Sequence, residues 1–103
     1  MVTFKGVWSK LYSMEEINEQ VRQIDMELRN IEDHLEQRRL RLNVIRQKAQ
    51  EYSTDPKIIN QCEEDEMRQN WNIAFLEKEK MALLEKKETL IALGIVYQLP
   101  RYW

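Results

Sequence analysis

The sequence predicts an all-α protein: an antiparallel helical hairpin of two long coiled-coil helices, dimerising into a four-helix bundle with short extended aromatic tails. Three observations lead to this fold class. The 103 residues include only two glycines and two prolines, so few turns are available. Apolar residues recur every three or four positions across 17–52. A helix-start signal near residue 55 then divides the chain into two stretches of similar length.

The composition excludes several classes of protein. With 33% charged residues and a net charge of −2, neither sign dominates, which argues against a protein that coats nucleic acid. No run of 18 apolar residues is present, so we expect no membrane span, and the N-terminus lacks the apolar segment of a secretory signal. Cys62, the single cysteine, excludes an intramolecular disulfide and suits a reducing compartment. We therefore expect a cytoplasmic location.

The first helix is predicted over 13–52, after an extended tail at 1–12. Ser13 and Glu16 have the spacing of a capping box, and Tyr12 and Ile17 have that of the hydrophobic staple that often accompanies it. Steps that alternate between three and four residues place one apolar stripe on a coiled-coil seam, interrupted only at Arg38. Its members are Ile17, Val21, Ile24, Leu28, Ile31, Leu35, Leu42, Ile45, Ala49 and Tyr52.

A turn at 53–55 and a second helix over 56–93 complete the predicted hairpin, 13–94. Asp55 is a good N-cap. Pro56 suits the first helical position, because an N–H at that position has no acceptor within the helix and its absence therefore costs nothing. Gly94 is expected to end the helix in the left-handed conformation, with Ile95 closing against Leu90. Residues 95–103 then form the extended C-terminal tail.

The second helix has too many apolar sides for a single neighbour. One stripe holds Ile59, Cys62, Ile73, Leu76, Leu83 and Leu90, and the predicted oligomer interface holds Met67, Trp71, Ala74, Phe75 and Met81. A helix that is apolar on several sides is normally buried by several neighbours, which predicts a homodimer. Charges beside the first helix's seam are acidic early and basic late, so they favour antiparallel association, unless the second helix already occupies them.

Opposite charges are also expected to set the register within the hairpin. Folding the chain at Asp55 lays the basic stretch 38–48 beside the acidic run 63–66. The residues predicted to set this register are Arg39, Arg41, Arg46, Glu63, Glu64 and Glu66. Because each exposed ion pair contributes only about 0.2–1 kcal/mol, these charges indicate the register more than the stability.

No catalytic, metal or cofactor site is predicted. His34 is the only histidine, and no second histidine or cysteine lies three or four residues away, as a zinc site would usually require. A di-metal carboxylate bundle uses Glu-x-x-His motifs, and none occurs here. Cys62 belongs to an apolar stripe, so we interpret it as a small buried side chain. An enzyme is therefore not expected.

The ends of the hairpin bring aromatic residues together. The residues predicted to bind a protein partner are Phe4, Trp8, Tyr97, Tyr102 and Trp103. Either these tails seal the bundle end, or they form a docking surface of the kind that Trp and Tyr favour. We expect 95–99 to seal it and the last two residues to bind the partner.

The predicted function is a non-enzymatic protein–protein interaction module: an adaptor, scaffold or inhibitor-type accessory protein, of a size and style seen in phage and viral accessory proteins. Two alternatives belong to other classes. One is a small helical-hairpin chaperone that holds client chains. The other is nucleic-acid binding through 38–48, which is disfavoured because the acidic run 63–66 already offers this stretch a partner and because the stretch lacks aromatic residues for base stacking.

Overall fold

Two antiparallel helices form a hairpin in the computed structural model, which describes residues 14–98. The first, α1, spans Met14–Glu51, and the second, α2, spans Pro56–Gln98. No strand occurs within 14–98, and the predicted all-α helical hairpin is confirmed. Dimerisation stays a prediction. Neither helix has, within the described part of the chain, a stretch long and apolar enough to cross a membrane.

The turn between the helices is fixed by the residues that the sequence singled out. The backbone N–H of Asp55 donates to the carbonyl of Tyr52 over 3.0 Å. The Asp55 carboxylate accepts hydrogen bonds from the backbone N–H groups of Lys57 (3.1 Å) and Ile58 (3.4 Å), which begin α2. Pro56 is the first residue of α2, where a missing N–H leaves no bond unmade. Asp55 is therefore the N-cap of α2.

The packing between the helices divides the hairpin into two units. In the first, which joins 14–28 to 82–98, Ile17, Ile24 and Leu90 are buried together. The half-buried residues around them are Val21, Leu28, Leu83 and Leu93.

The second unit covers 29–81 and has its own buried side chains, Ile31, Leu35, Leu42 and Cys62. Leu35 is only 1% exposed and is the most enclosed side chain among the described residues. The predicted stripe of α1 thus supplies most of the buried side chains in both units.

The seam of α2 is a complete heptad series in which several positions are polar. Every member is buried or half-buried: Ile59, Cys62, Glu66, Gln69, Ile73, Leu76, Lys80, Leu83, Lys87, Leu90 and Gly94. The apolar stripe predicted from the sequence contains only the apolar members of this series. The polar members Glu66, Gln69, Lys80 and Lys87 each bond to a side chain of α1. Their aliphatic stems therefore cover the seam where apolar residues are missing, while their polar ends bond to α1.

Gly94 does not end α2, and the prediction that it does is wrong. The helix continues through Gly94 to Gln98, and no glycine within 14–98 has a positive φ. Residues 95–98 are therefore helical rather than extended, and Ile95 is exposed instead of closing against Leu90. The physical reason is packing: Gly94 occupies a seam position and is buried against Met14 and Ile17, so continuing the helix keeps this turn packed on α1.

Replacing Gly94 with alanine is expected to stabilise the hairpin. A Cβ at this position would lie 3.7 Å from Cε of Met14 and 3.8 Å from Cγ2 of Ile17, which are ordinary van der Waals contacts. Alanine also favours a helix interior over glycine by about 0.5–1 kcal/mol. Urea denaturation followed by circular dichroism should show Gly94→Ala shifting the midpoint upwards. A destabilised variant would indicate that Gly94 needs a left-handed backbone after all.

Candidate interaction surface

Four large apolar side chains are exposed on one side of α2. Trp71 is 79% exposed, Met67 71%, Phe75 62% and Met81 59%, and Ala74 lies exposed among them. Trp71 and Phe75 lie about half a turn around the helix from the seam residue Ile73, and the other members lie about a quarter to a third of a turn from it. These five residues, which the sequence analysis predicted as an oligomer interface, are called the outer apolar face below.

A groove runs along the outer apolar face beside the Trp71 indole. Its volume is about 360 Å³, and its lining includes Glu64, Met67, Arg68 and Trp71. These four residues are spaced i, i+3, i+4 and i+7 along one helix. That spacing defines the hole that receives one side chain of a facing helix in knobs-into-holes packing. The outer face therefore presents a recess for a side chain as well as apolar bulk.

A second apolar patch, which the sequence analysis did not single out, lies on α1. Leu40 and Val44 are each about 60% exposed, and they border a groove of about 370 Å³ together with Ile45 and Arg41 of α1 and Asp65 and Gln69 of α2. The signal was available, because Leu40 and Val44 stand four residues apart and outside the α1 seam. This patch has only two exposed apolar side chains and is less extensive than the outer face of α2.

Charged side chains at one heptad position of α1 are already paired with α2. Within the first unit, Lys87 reaches Asp25 over 2.6 Å. Within the second, Lys80 pairs with Glu32, Glu77 with Arg39 over 3.4 Å, and Glu66 with Arg46 over 3.2 Å. These four α1 charges are among those from which antiparallel dimerisation was predicted, a set that also includes Glu27, Arg41 and Lys48. Because α2 occupies these four, they no longer support an orientation of the dimer, and the antiparallel prediction keeps only the charges of Glu27, Arg41 and Lys48.

The residues predicted to set the register behave differently from one another. Arg46 pairs with Glu66, whereas Arg39 pairs with Glu77, which lies outside the acidic run 63–66. Arg41, Glu63 and Glu64 are exposed and make no ion pair within residues 14–98. The register charges are thus spread along the second unit instead of being concentrated in two facing blocks.

The basic stretch 38–48 is directed largely at α2. Besides the Arg39 and Arg46 pairs, Arg38 donates a hydrogen bond to Gln69 over 3.3 Å. Three of its five cationic side chains therefore already have partners within the hairpin. This arrangement gives no advantage to the nucleic-acid alternative, which needs those cations to face phosphates.

The pKa of Glu32 is held below its usual value of 4.5, chiefly by the hydrogen bond from Lys80 and further by the charge of Lys80. A lowered pKa means that the folded state takes up the proton less readily than the unfolded chain. The stabilising contribution of Glu32 is therefore present above about pH 4.5 and is lost as the pH falls through the folded-state pKa.

Lys80→Met is expected to return the pKa of Glu32 towards 4.5 and to weaken the acid dependence of stability. The measurement is an NMR titration of the side-chain carboxyl carbons, together with thermal unfolding across the acidic range. Lys86→Met is the matched control, because Lys86 is exposed and makes no ion pair within the described residues. An unchanged Glu32 titration in Lys80→Met would contradict the pairing.

The remaining predicted residues have these positions. Phe4, Trp8, Tyr102 and Trp103 lie outside the described residues, as do Tyr12 and Ser13 of the predicted helix start. Tyr97 lies in the last turn of α2. The docking role of the terminal aromatics stays a prediction.

His34 and Cys62 have simple surroundings in the structure. Cys62 is a buried free thiol in the seam, and His34 is exposed beside a small groove that Phe75 and Arg38 also line. Within 14–98, no group of three His, Cys, Asp or Glu side chains is arranged to hold a metal ion.

Comparison with known proteins adds no identity. No protein-family model, curated protein or solved structure matches this chain. The functional proposal therefore rests on the surface chemistry of the hairpin itself.

Proposed function

We propose that this chain is a non-enzymatic protein–protein interaction module, of the adaptor, scaffold or inhibitor kind, that binds another protein chain across the outer apolar face. The observation that supports it is the exposure of Trp71, at 79%, between Met67 and Phe75 on the same stripe. Scattered exposed apolar residues are normal in proteins. A contiguous set that includes an aromatic pair and two methionines has the composition of an interface core.

The expected energetics agree with such a role. An aromatic side chain such as that of Trp71 buries roughly 150–250 Å² when it is covered. At about 25 cal/mol per Å², its burial is worth roughly 4–6 kcal/mol before the costs of association are subtracted. A micromolar complex requires about 8 kcal/mol in total. Trp71 alone therefore does not reach this value, and a partner must cover Met67 and Phe75 as well.

Site-specific photo-crosslinking tests this proposal. A benzophenone amino acid replaces Phe75, and the protein is irradiated both in the source cell and as a purified sample. We expect a covalent adduct between the chain and a protein, because the side chain at 75 would lie within the covered surface. Asn30 is the matched control, since it is exposed on α1 and away from the outer apolar face. No protein adduct from position 75 in either sample would overturn the proposal.

A further inference from the structure

Three residues of α2, each seven positions from the next, form a line along the outer apolar face. They are Glu64, Trp71 and Lys78, and all three are exposed. A straight helix drifts only about 20° per heptad, so the three side chains point nearly the same way. Neither Glu64 nor Lys78 makes an ion pair within residues 14–98. The line thus carries one negative charge, one central indole and one positive charge, with both charges available to a partner.

We propose that the chain covering the outer apolar face is α2 of a second copy, lying antiparallel, with the two-fold axis passing at Trp71. The inference rests on the proposed function and names its partner. Such an axis exchanges positions that are equally far from Trp71 in opposite directions. Glu64 of each copy then faces Lys78 of the other, so two symmetry-related ion pairs form, and Trp71 meets its own symmetry mate.

Charge selects this orientation over the parallel one. In a parallel, in-register pair, Glu64 would face Glu64 and Lys78 would face Lys78, which is repulsive at both places. The antiparallel pair replaces both repulsions with attractions, and such complementarity governs orientation and specificity more than affinity. One heptad further in each direction the sequence has Lys57 and Glu85, which continue the inversion of charge about position 71.

Shape complementarity points to the same axis. The lining of the groove, which also includes Asn72, contains the four-residue hole formed by Glu64, Met67, Arg68 and Trp71 and centred between 67 and 68. The two-fold axis at Trp71 brings the segment around 74 and 75 of the second copy opposite that hole. Phe75, exposed and large, is the side chain that fills it, and Arg68 beside it can contact the ring face. Each copy supplies one hole and one matching side chain, so the interface is self-complementary.

Charge-reversed variants test the arrangement in the full-length chain. Glu64→Lys creates two lysine–lysine contacts across the axis, and Lys78→Glu creates two glutamate–glutamate contacts. We expect sedimentation equilibrium at low salt to show a dissociation constant raised about tenfold or more in each single variant. The double variant Glu64→Lys/Lys78→Glu restores opposite charges and should return to within about threefold of the original value. Circular dichroism establishes that all variants keep their helices.

Mixing the two single variants gives the sharpest measurement. The Glu64→Lys variant is positive at both 64 and 78, and the Lys78→Glu variant is negative at both. A mixed dimer therefore has two attractive pairs, whereas each homodimer has none. We expect the mixture to dimerise at concentrations at which both components alone are monomeric. A double variant as weak as the singles, or a mixture that stays monomeric, would overturn the antiparallel axis at Trp71.

The result also separates this inference from the proposed function. A wild-type chain that stays monomeric at all concentrations overturns the second copy as the partner. If the benzophenone at position 75 then crosslinks a different protein, the interaction module stands without self-association. If position 75 crosslinks no protein, both proposals fail together. A wild-type dimer that Trp71→Glu converts to monomer, with its helices intact, supports both.

Discussion

Leu35→Ala is expected to lower the free energy of unfolding by about 2–5 kcal/mol, the range for leucine-to-alanine changes in well-packed cores. Leu35 is 1% exposed and belongs to the part of the α1 stripe that lies in the second unit. The substitution removes apolar contact and leaves a cavity that two rigid helices are poorly able to close. Urea denaturation at a fixed protein concentration measures the change, because any dimer makes stability concentration-dependent.

Leu40→Ala is the matched control for this experiment. It is the same chemical change on the same helix, five residues away, but Leu40 is 59% exposed. We expect its effect to stay within about 0.5 kcal/mol, as is usual for surface substitutions. Equal losses in the two variants would mean that the α1 seam is not the packed side of the helix.

Ile24→Asn is expected to have a comparably large effect in the first unit. Ile24 is 4% exposed and packs with Ile17 and Leu90. The substitution removes aliphatic contacts, and it also places an amide where it cannot make all its hydrogen bonds. Together these costs amount to about 3–5 kcal/mol. Hydrogen exchange by NMR should show faster exchange at the backbone amides around 17–28 and 83–93, along with a lower unfolding midpoint.

Met26→Asn provides the comparison for Ile24. Met26 lies two residues further along the same helix and is 60% exposed, so an asparagine there stays hydrated. Its expected effect is below about 1 kcal/mol, arising mainly from the lower helix propensity of asparagine. A large effect at Met26 and a small one at Ile24 would reverse the assignment of the buried side in the first unit.

The sequence predicted the buried side of α1 well because its seam obeys a single rule. Apolar residues alternate at three and four positions, and all five α1 residues that are buried belong to that predicted stripe. The turn was equally accessible, since the capping chemistry of Asp55 and Pro56 is local and needs no knowledge of tertiary packing. Where local capping rules and the hydrophobic period agree, a single sequence is sufficient to predict the helix and its buried side.

The seam of α2 was predicted incompletely because polarity concealed its period. Lys80 and Lys87 occupy heptad positions, but their seam role depends on carboxylates of α1 that lie far away in the sequence. Gly94 was misinterpreted for a related reason: glycine commonly follows the end of a helix, and this local rule suggested a stop. The packing of Gly94 against Met14 and Ile17, far away in the sequence, is what the rule does not include.

The candidate surface was predictable in its membership but not in its arrangement. The apolar excess around Trp71 is visible in the sequence, whereas the availability of Glu64 and Lys78 is not. Whether a charged side chain is available to a partner depends on which charges already form ion pairs within the hairpin. The dimer orientation predicted from α1 lost much of its basis for this reason, because Asp25, Glu32, Arg39 and Arg46 pair with α2.

The unequal seams make the two halves of the hairpin suited to fragment complementation. The α1 seam is apolar apart from Arg38, whereas the α2 seam holds Glu66, Gln69, Lys80 and Lys87. Two α2 segments that paired through their own seams would leave these polar ends without the α1 partners they use here. If the chain were cut in the turn at 53–54, the α2 piece would recover its bonds only by recombining with α1. The two helices thus behave like two different partners joined in one chain. The turn raises the effective concentration of each helix for the other, and the different seams make α1 the preferred partner of α2.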